Sequence, residues 1–225
     1  MARLAKPPSF ARPRIAPTPP RARIWVFCEG RNTEPEYLSA FADEVSNKKV
    51  DVISAGGVGC PLTVVKAARA KRLELKRQGL ENVDEVWAAF DRDTHPHIPE
   101  AMHLAKVGNV NVAFSNPCFE LWALLHLDDH TAALDSGGMQ KALSAKMPRY
   151  DHAKDARLDH RLMQGKFHTA HERAERMVKR RHDEGDALGN PYTTMHELAA
   201  KIAKHGDPDI KLAREKADKI RRRHG

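Results

Sequence analysis

Ile24-Trp25-Val26-Phe27-Cys28-Glu29-Gly30 decides how the chain is read. Its first four residues are a short continuous apolar run, the pattern of a strand buried on both faces. Behind it Thr33 and Glu36 form a capping-box pattern, and Tyr37, Leu38, Phe41 and Val45 recur at helical spacing. That predicts a helix over about 34–46. Val50–Ile53 reads as a second strand, Gly56–Gly59 as a loop, and Pro61 opens a helix to about Gln78. Val86–Phe90 is a third strand ending at Asp91, followed by a helix near 99–107 and a fourth strand at Val110–Phe114. The next helix carries Phe119, Leu121, Trp122, Leu124 and Leu125. Strands alternating with helices at this rhythm predict βαβ units, hence an α/β fold with a mostly parallel sheet flanked by helices.

Downstream of about 127 the pattern changes. Residues 138–147, 167–184, 194–205 and 209–223 read as helical, no strand is expected there, and no internal repeat is visible. The expected organisation is a basic Pro-rich tail at 1–22, an α/β core at 23–127 and a helical extension at 128–225 packed on it. The tail holds Pro7, Pro8, Pro13, Pro17, Pro19 and Pro20 and reads as disordered or polyproline-like. It is either an inert leader or an arm that contacts polyanions.

Composition narrows the classes. A chain of 225 residues with 41% hydrophobic and 30% charged residues can bury a real core. No apolar run approaches the roughly 20 residues a membrane helix needs, so no membrane partner is expected. The first 23 residues contain no apolar stretch of the kind a secretory signal requires. Cys28, Cys60 and Cys118 lie far apart and form no CxxC pair, which argues against a disulfide framework or zinc ribbon and points to a reducing cytoplasm. Of the net charge of +8, six positive charges sit in the first 23 residues, which hold no acid. The remaining chain is therefore only mildly basic, and local clusters such as Arg221–Arg223 carry what is left of a charge argument for nucleic acid.

The informative acids lie at strand ends. In a parallel α/β sheet, ligands bind beyond the carboxyl ends of the strands. Strand one ends in Cys28-Glu29-Gly30 and strand three in Asp91-Arg92-Asp93, so these acids are expected on one edge. Gly30 would let the backbone turn and a phosphate approach. Asp91 and Asp93, two apart in extended chain, would point the same way and hold a hard cation such as Mg²⁺ or Mn²⁺ together with Glu29. Such ions activate a water and stabilise a leaving oxygen, while Glu29 serves as general base or acid. Ser115, Asn116 and Glu120 are expected just beyond strand four on the same edge. Asn116 either positions a phosphate or water, or caps the helix opened by Pro117, and Glu120 is either a fourth acid at the metal or hydrogen-bonded locally.

At these residues the chain resembles the RloB-like family, Toprim-fold proteins of prokaryotic restriction and anti-phage loci. The resemblance is carried by Phe27-Cys28-Glu29-Gly30 with Thr33–Tyr37, by Phe90-Asp91-Arg92-Asp93, by Phe114–Trp122 and by Gly189-Asn190-Pro191 leading into Thr194–Leu198. It implies a Toprim catalytic core with Glu29, Asp91 and Asp93 on the motif positions, and a partner ATPase of the RloA kind. Related Toprim nucleases of defence systems work beside ATPases and cut DNA or transfer RNA. The expectation is therefore a metal-dependent nuclease, with Glu29, Asp91 and Asp93 catalytic, Glu120 joining the metal, and Gly30, Arg92 and Asn116 contacting the phosphate. The rivals are a nucleotidyl or phosphoryl transferase built on the same site, and a non-catalytic adaptor that binds nucleic acid or the ATPase; either way an oligomer is open.

Other motifs admit two readings each. Glu34 is a first-turn acid favoured by the helix dipole, or a further metal ligand. His95 and His97 are loop residues, or ligands following the DxD. Cys28 and Cys118 are buried thiols, or a pair on the active edge. Gly56–Gly59 is a plain turn, or a backbone cradle for phosphate; with no Lys-Ser/Thr behind it, it is not a P-loop. The helix at 167–184, with His168, His171, Arg173, Arg176, Lys179, Arg180 and Arg181, is a solvated surface or a face that tracks a nucleic-acid backbone. Tyr150, with Lys154 and Arg157, is a further candidate substrate contact.

Overall fold

The computed structural model of the chain describes residues 22–45, 50–54 and 59–204. The readings of the 1–21 tail, of Gly56–Val58 and of a helix over 209–223 lie outside these residues. Five strands form one sheet in the order β2-β1-β3-β4-β5: β1 Ile24–Cys28, β2 Val50–Ser54, β3 Glu85–Asp91, β4 Asn111–Asn116 and β5 Tyr192–Thr193. The first four pair in parallel, and β5 adds an antiparallel edge through Ser115↔Thr193 and Asn116↔Tyr192. The expected mostly parallel α/β sheet is what the chain forms. A strand in the C-terminal part is a correction: two residues give no periodicity, and β5 exists because β4 offers an edge for them.

The alternation of strand side chains sorts the core into two layers. Val26, Cys28, Trp87, Ala89 and Ala113 point to one face, which is covered by α1 (Thr33–Glu44), α4 (Glu120–Leu127), α5 (Ser136–Lys146), α7 (Phe167–Asp183) and α8 (Met195–Lys204). Phe27, Val86, Ala88, Phe90 and Phe114 point to the other, beneath α2 (Pro61–Arg77) and α3 (Ile98–Val107). The first layer is continuous from Ile24 to Ile202, so the C-terminal helices share the core of the sheet. Trp122, Leu121 and Leu125 are fully enclosed there, each worth about 1.5–3 kcal/mol of apolar burial. A short helix, α6 (His160–Met163), had no sequence signal.

Tertiary contacts override some of the local sequence signals. Pro61 does open α2 at its first turn. The Thr33/Glu36 capping box does not form: the N-cap is Asn32, Thr33 lies inside α1, and its hydroxyl donates to the Ala156 carbonyl at 3.2 Å. The partner across the cleft outcompetes the local cap. β4 also runs two residues further than expected, so Ser115 and Asn116 belong to the strand rather than the loop beyond it. Pairing with β5 extends it.

Candidate functional site

β1 and β3 are hydrogen-bonded neighbours in register Cys28↔Ala89, so Glu29 and Asp91 leave the sheet side by side. Glu29 reaches across: its Oε2 accepts the Asp91 amide at 3.2 Å and its Oε1 meets His95 Nε2 at 2.7 Å. Asp91 turns under the start of α4, where Oδ2 accepts the Phe119 amide at 3.0 Å. Asp93 sits at φ +35°, a left-handed conformation that Asp tolerates better than most residues, and accepts the Ser136 hydroxyl. His95 therefore belongs to the site through Glu29, whereas His97 is exposed and lies 3.4 Å from Glu100.

Two helices bring two more acids. Glu34, buried in the first turn of α1, folds back so that Oε1 accepts the Gly30 amide at 3.1 Å. A Cβ on Gly30 would lie 2.0 Å from Glu34 Oε2, so a side chain there would have to displace the Glu34 carboxylate. Glu120, the first residue of α4, is buried and accepts the Tyr150 hydroxyl, with His152 Nδ1 at 3.0 Å from the same oxygen. Tyr150 thus holds Glu120 from within the core instead of meeting substrate. Glu29, Glu34, Asp91, Asp93 and Glu120 all line one cleft of about 340 Å³, with Arg31, His152 and Lys154 among its other walls.

The electrostatics follow from this crowding. Burial, then Glu34, Glu120 and Asp93, pushes the Asp91 carboxyl well above its ordinary range, and the Phe119 amide only partly opposes them. Burial lifts Glu34 from 4.5 to about 7, with Glu120 and Glu29 adding to it against the pull of two backbone hydrogen bonds. Glu29 is also raised, mainly by burial, against the Asp91 amide and His95. Cys118 lines the cleft as a buried thiol pushed up by burial and by Glu120 and Asp91, and Cys28 behaves likewise behind it. Both are free, and neither can ionise to act as a nucleophile there.

Carboxylate oxygens in this number are a donor set for a hard divalent cation, which would relieve the mutual repulsion. Among the described residues, however, no three His, Cys, Asp or Glu side chains are gathered to ligate one ion. Each acid instead has an internal donor: the Asp91 amide and His95, the Gly30 amide, the Phe119 amide, Ser136, and Tyr150 with His152. The donor chemistry fits a metal, and loading it means exchanging some of these hydrogen bonds.

Other expected contacts fall elsewhere. Arg92 is exposed and does not line the cleft. Asn116 neither caps a helix nor lines the cleft: its Nδ2 donates to the Leu188 carbonyl at 2.7 Å, and the following helix starts at Glu120. Two cations of α7 are engaged internally, Arg173 with the Leu125 carbonyl at 2.7 Å and Arg181 with the carbonyls of Asn190 and Pro191. Sequence reasoning missed His152, because the irregular stretch 151–159 has no periodicity to place it.

Residues 24–202 match the sequence profile of the family described as RloB-like protein, most of the chain. Neither a curated protein nor a solved structure matches it. No helix among the described residues is long and apolar enough to cross a membrane.

Proposed function

The chain belongs to the RloB-like protein family, and from that premise we propose that it is a Mg²⁺- or Mn²⁺-dependent nuclease of a defence system, controlled by an RloA-like ATPase. The observation that carries the reading is the convergence of Glu29, Glu34, Asp91, Asp93 and Glu120 on one cleft at the carboxyl edge of the sheet. A structural ion-pair network would have matched these acids with cations; here Arg31, Lys154 and His152 line the cleft with six carboxylates, Asp155 being the sixth. This supports the Toprim assignment of Glu29, Asp91 and Asp93 that the family resemblance implies.

Asp91, Asp93, Glu29 and Glu120 would hold the cation. When bound, it supplies charge neutralisation at the phosphate oxygens and lowers the pKa of an attached water. The protein's own part is positional. Glu29, with its raised pKa and with His95 fixing Oε1, is suited to take the proton from the attacking water. The water oxygen bonds to phosphorus, the P–O ester bond breaks, and the leaving oxygen takes up a proton. Lys154 and Arg31 at the wall of the cleft are placed to meet non-bridging phosphate oxygens.

The test is cleavage of end-labelled DNA and RNA by the purified chain, with Mg²⁺ or Mn²⁺, alone and with its ATPase. Metal-dependent products that disappear in the Asp91→Ala/Asp93→Ala double variant are expected. Retained cleavage in that variant sinks the site assignment. Products longer than the substrate would favour nucleotidyl transfer, and calorimetry without any divalent-metal binding would favour the adaptor.

A further inference from the structure

A second cavity, of about 220 Å³, lies further along α1 from the acidic cleft. The rings of Tyr37, Phe41, His160 and Phe167 line it, with Arg161, Gln164 and the carboxylate of Glu44 among its polar groups. The rings are organised: Tyr37 and Phe41 stack at 5.8 Å and 5°, Phe167 leans on Phe41 at 5.0 Å, and His160 faces Tyr37 at 6.3 Å and 29°. Beneath them the Tyr37 hydroxyl lies 3.3 Å from His126 Nε2, whose other nitrogen is 2.9 Å from the Trp122 carbonyl. The Tyr37 hydroxyl is therefore internally satisfied, and the rings present hydrocarbon and π faces. The volume is below the roughly 300–1,000 Å³ that takes a whole drug-sized ligand, and suits one flat heterocycle.

Position adds the second argument. The same two elements wall both cavities: α1 gives Glu34 to the cleft and Phe41 to the pocket, and the 150–167 segment gives His152 and Lys154 to one and His160 and Phe167 to the other. Phe41 lies seven positions beyond Glu34 on α1, about 10 Å along the axis. That equals about three stacked nucleotides at 3.4 Å each, and fewer in a stretched strand. Along the way the segment exposes Lys154, Arg157 and Arg161, with side-chain exposures of 81%, 71% and 76%. Lys154 and Arg157 now pair with Asp151 and with Asp155 and Glu36, surface ion pairs that a phosphate can displace cheaply, while Arg161 forks onto the mostly buried Asp159.

We propose that this aromatic pocket receives one unpaired nucleobase of a single-stranded nucleic acid whose scissile phosphate lies in the acidic cleft. The inference rests on the nuclease reading and names its substrate class: an unpaired strand, with one base inserted between His160 and Phe167 and the intervening phosphates beside Arg157 and Arg161. Gln164, an amide in the pocket lining, offers a donor and an acceptor to the edge of the base. Duplex cannot use the pocket without extruding a base.

The test measures fluorescence anisotropy of labelled homopolymers of A, C, G, T and U, about 12 nucleotides long, against the full chain in EDTA, where no cleavage occurs. The wild-type chain is expected to prefer single strands to duplex and to discriminate among bases. Ala40→Phe plugs the pocket from its partly exposed wall; it is expected to weaken single-strand binding by about 5- to 150-fold, the worth of one stacked base, and to erase base preference. Gln164→Ala is expected to reduce preference more than affinity. Ser39→Phe, on the exposed face of α1, controls for the added ring and is expected to bind as wild type. Equal melting temperatures of the Phe variants exclude a folding defect. Unchanged affinity and preference in Ala40→Phe, or no single-strand binding at all, overturns the proposal. Base-selective binding by a chain that cleaves no oligonucleotide, whichever divalent metal is added, would leave the pocket standing and remove the nuclease reading; cleavage with an indifferent Ala40→Phe would do the reverse.

Discussion

The acidic cleft and helix α7 each gather a handful of like charges, but only the cleft leaves them facing one another. On α7, Ala170, Ala174 and Met177 are buried and the opposite face is charged, as in any amphipathic surface helix. Its cations are then tied off singly: Arg173 and Arg181 to backbone carbonyls, Arg176 to Asp129 at 3.6 Å, Lys179 to Asp183. In the cleft, burial with Glu34, Glu120 and Asp93 raises the proton affinity of Asp91, and burial with Glu120 and Glu29 raises that of Glu34. Uncompensated charge costs stability, and it persists where a ligand supplies the missing sign. The two regions differ less in composition than in whether the protein completes its own electrostatics.

The largest expected contrast is in activity. Asp91→Asn keeps an acceptor for the Phe119 amide and removes one charge from the cleft. Metal-dependent cleavage of labelled oligonucleotide is expected to fall by about a thousandfold, roughly 4 kcal/mol of transition-state stabilisation. The same assay on Arg176→Ala is expected to stay within about threefold, since that side chain holds only an exposed ion pair. Comparable losses in both variants would erase the distinction.

Legibility in the sequence followed the same division. Glu29, Asp91 and Asp93 could be placed because two apolar runs fix where β1 and β3 end, and parallel strands end on one edge. Glu120 was reachable from the strand–loop–helix context of Phe114–Trp122, although as a neighbour of Tyr150 and His152 it was invisible. Glu34 reads from sequence as a first-turn acid, because its return to the Gly30 amide leaves no sequence signature. The partners of Asn116, Arg173 and Arg181 could not be read for one reason: Leu188, Leu125 and Asn190 come from distant chain, and backbone carbonyls leave no sequence signature. The Thr33 cap failed likewise, losing to Ala156 more than a hundred residues on.

Protonation sharpens the comparison from the cleft side. Glu34 titrates near 7 in the folded chain and near 4.5 as an ordinary side chain. Between those values the folded state holds a proton that the unfolded chain has released, so this group's contribution to stability falls as pH rises through that window. Glu34→Gln removes the titration and keeps an acceptor for the Gly30 amide. Relative to wild type, its unfolding free energy in metal-free urea titrations is expected to gain from about pH 4.5 to above 7, by roughly 3 kcal/mol at most. Taking the difference cancels His126 and His196, which burial lowers to about 4 and which act in the opposite direction. A flat difference would mean the cleft acids are compensated after all.

On α7 the sign reverses, because removing a charge leaves carbonyls without donors. Arg181 is largely buried and serves Asn190, Pro191 and Glu184 at once, fixing the chain that leads into β5. Arg181→Ala is expected to lower unfolding free energy by about 1–3 kcal/mol, read as a lower melting temperature with cleavage per folded molecule intact. A melting temperature equal to wild type would show that the contacts are incidental.

The smallest effect is expected at Lys179, and it separates a decorated surface from a binding face. Its partner Asp183 lies one turn towards the C-terminus, the less favourable order for an i,i+4 pair, and both side chains are mostly exposed. An acid in the last turn also opposes the helix dipole, so the pair gains little from its location. Lys179→Ala is expected to change stability by less than about 0.5 kcal/mol. If α7 tracked a phosphate backbone, the same substitution would lower the slope of log affinity against log salt by about one. An unchanged slope for single-stranded oligonucleotide is the expected result, with nucleic acid held along the 150–167 segment and the cleft. A slope reduced by one would put a phosphate on α7 and make it a second track, despite the arginines it has committed to the fold.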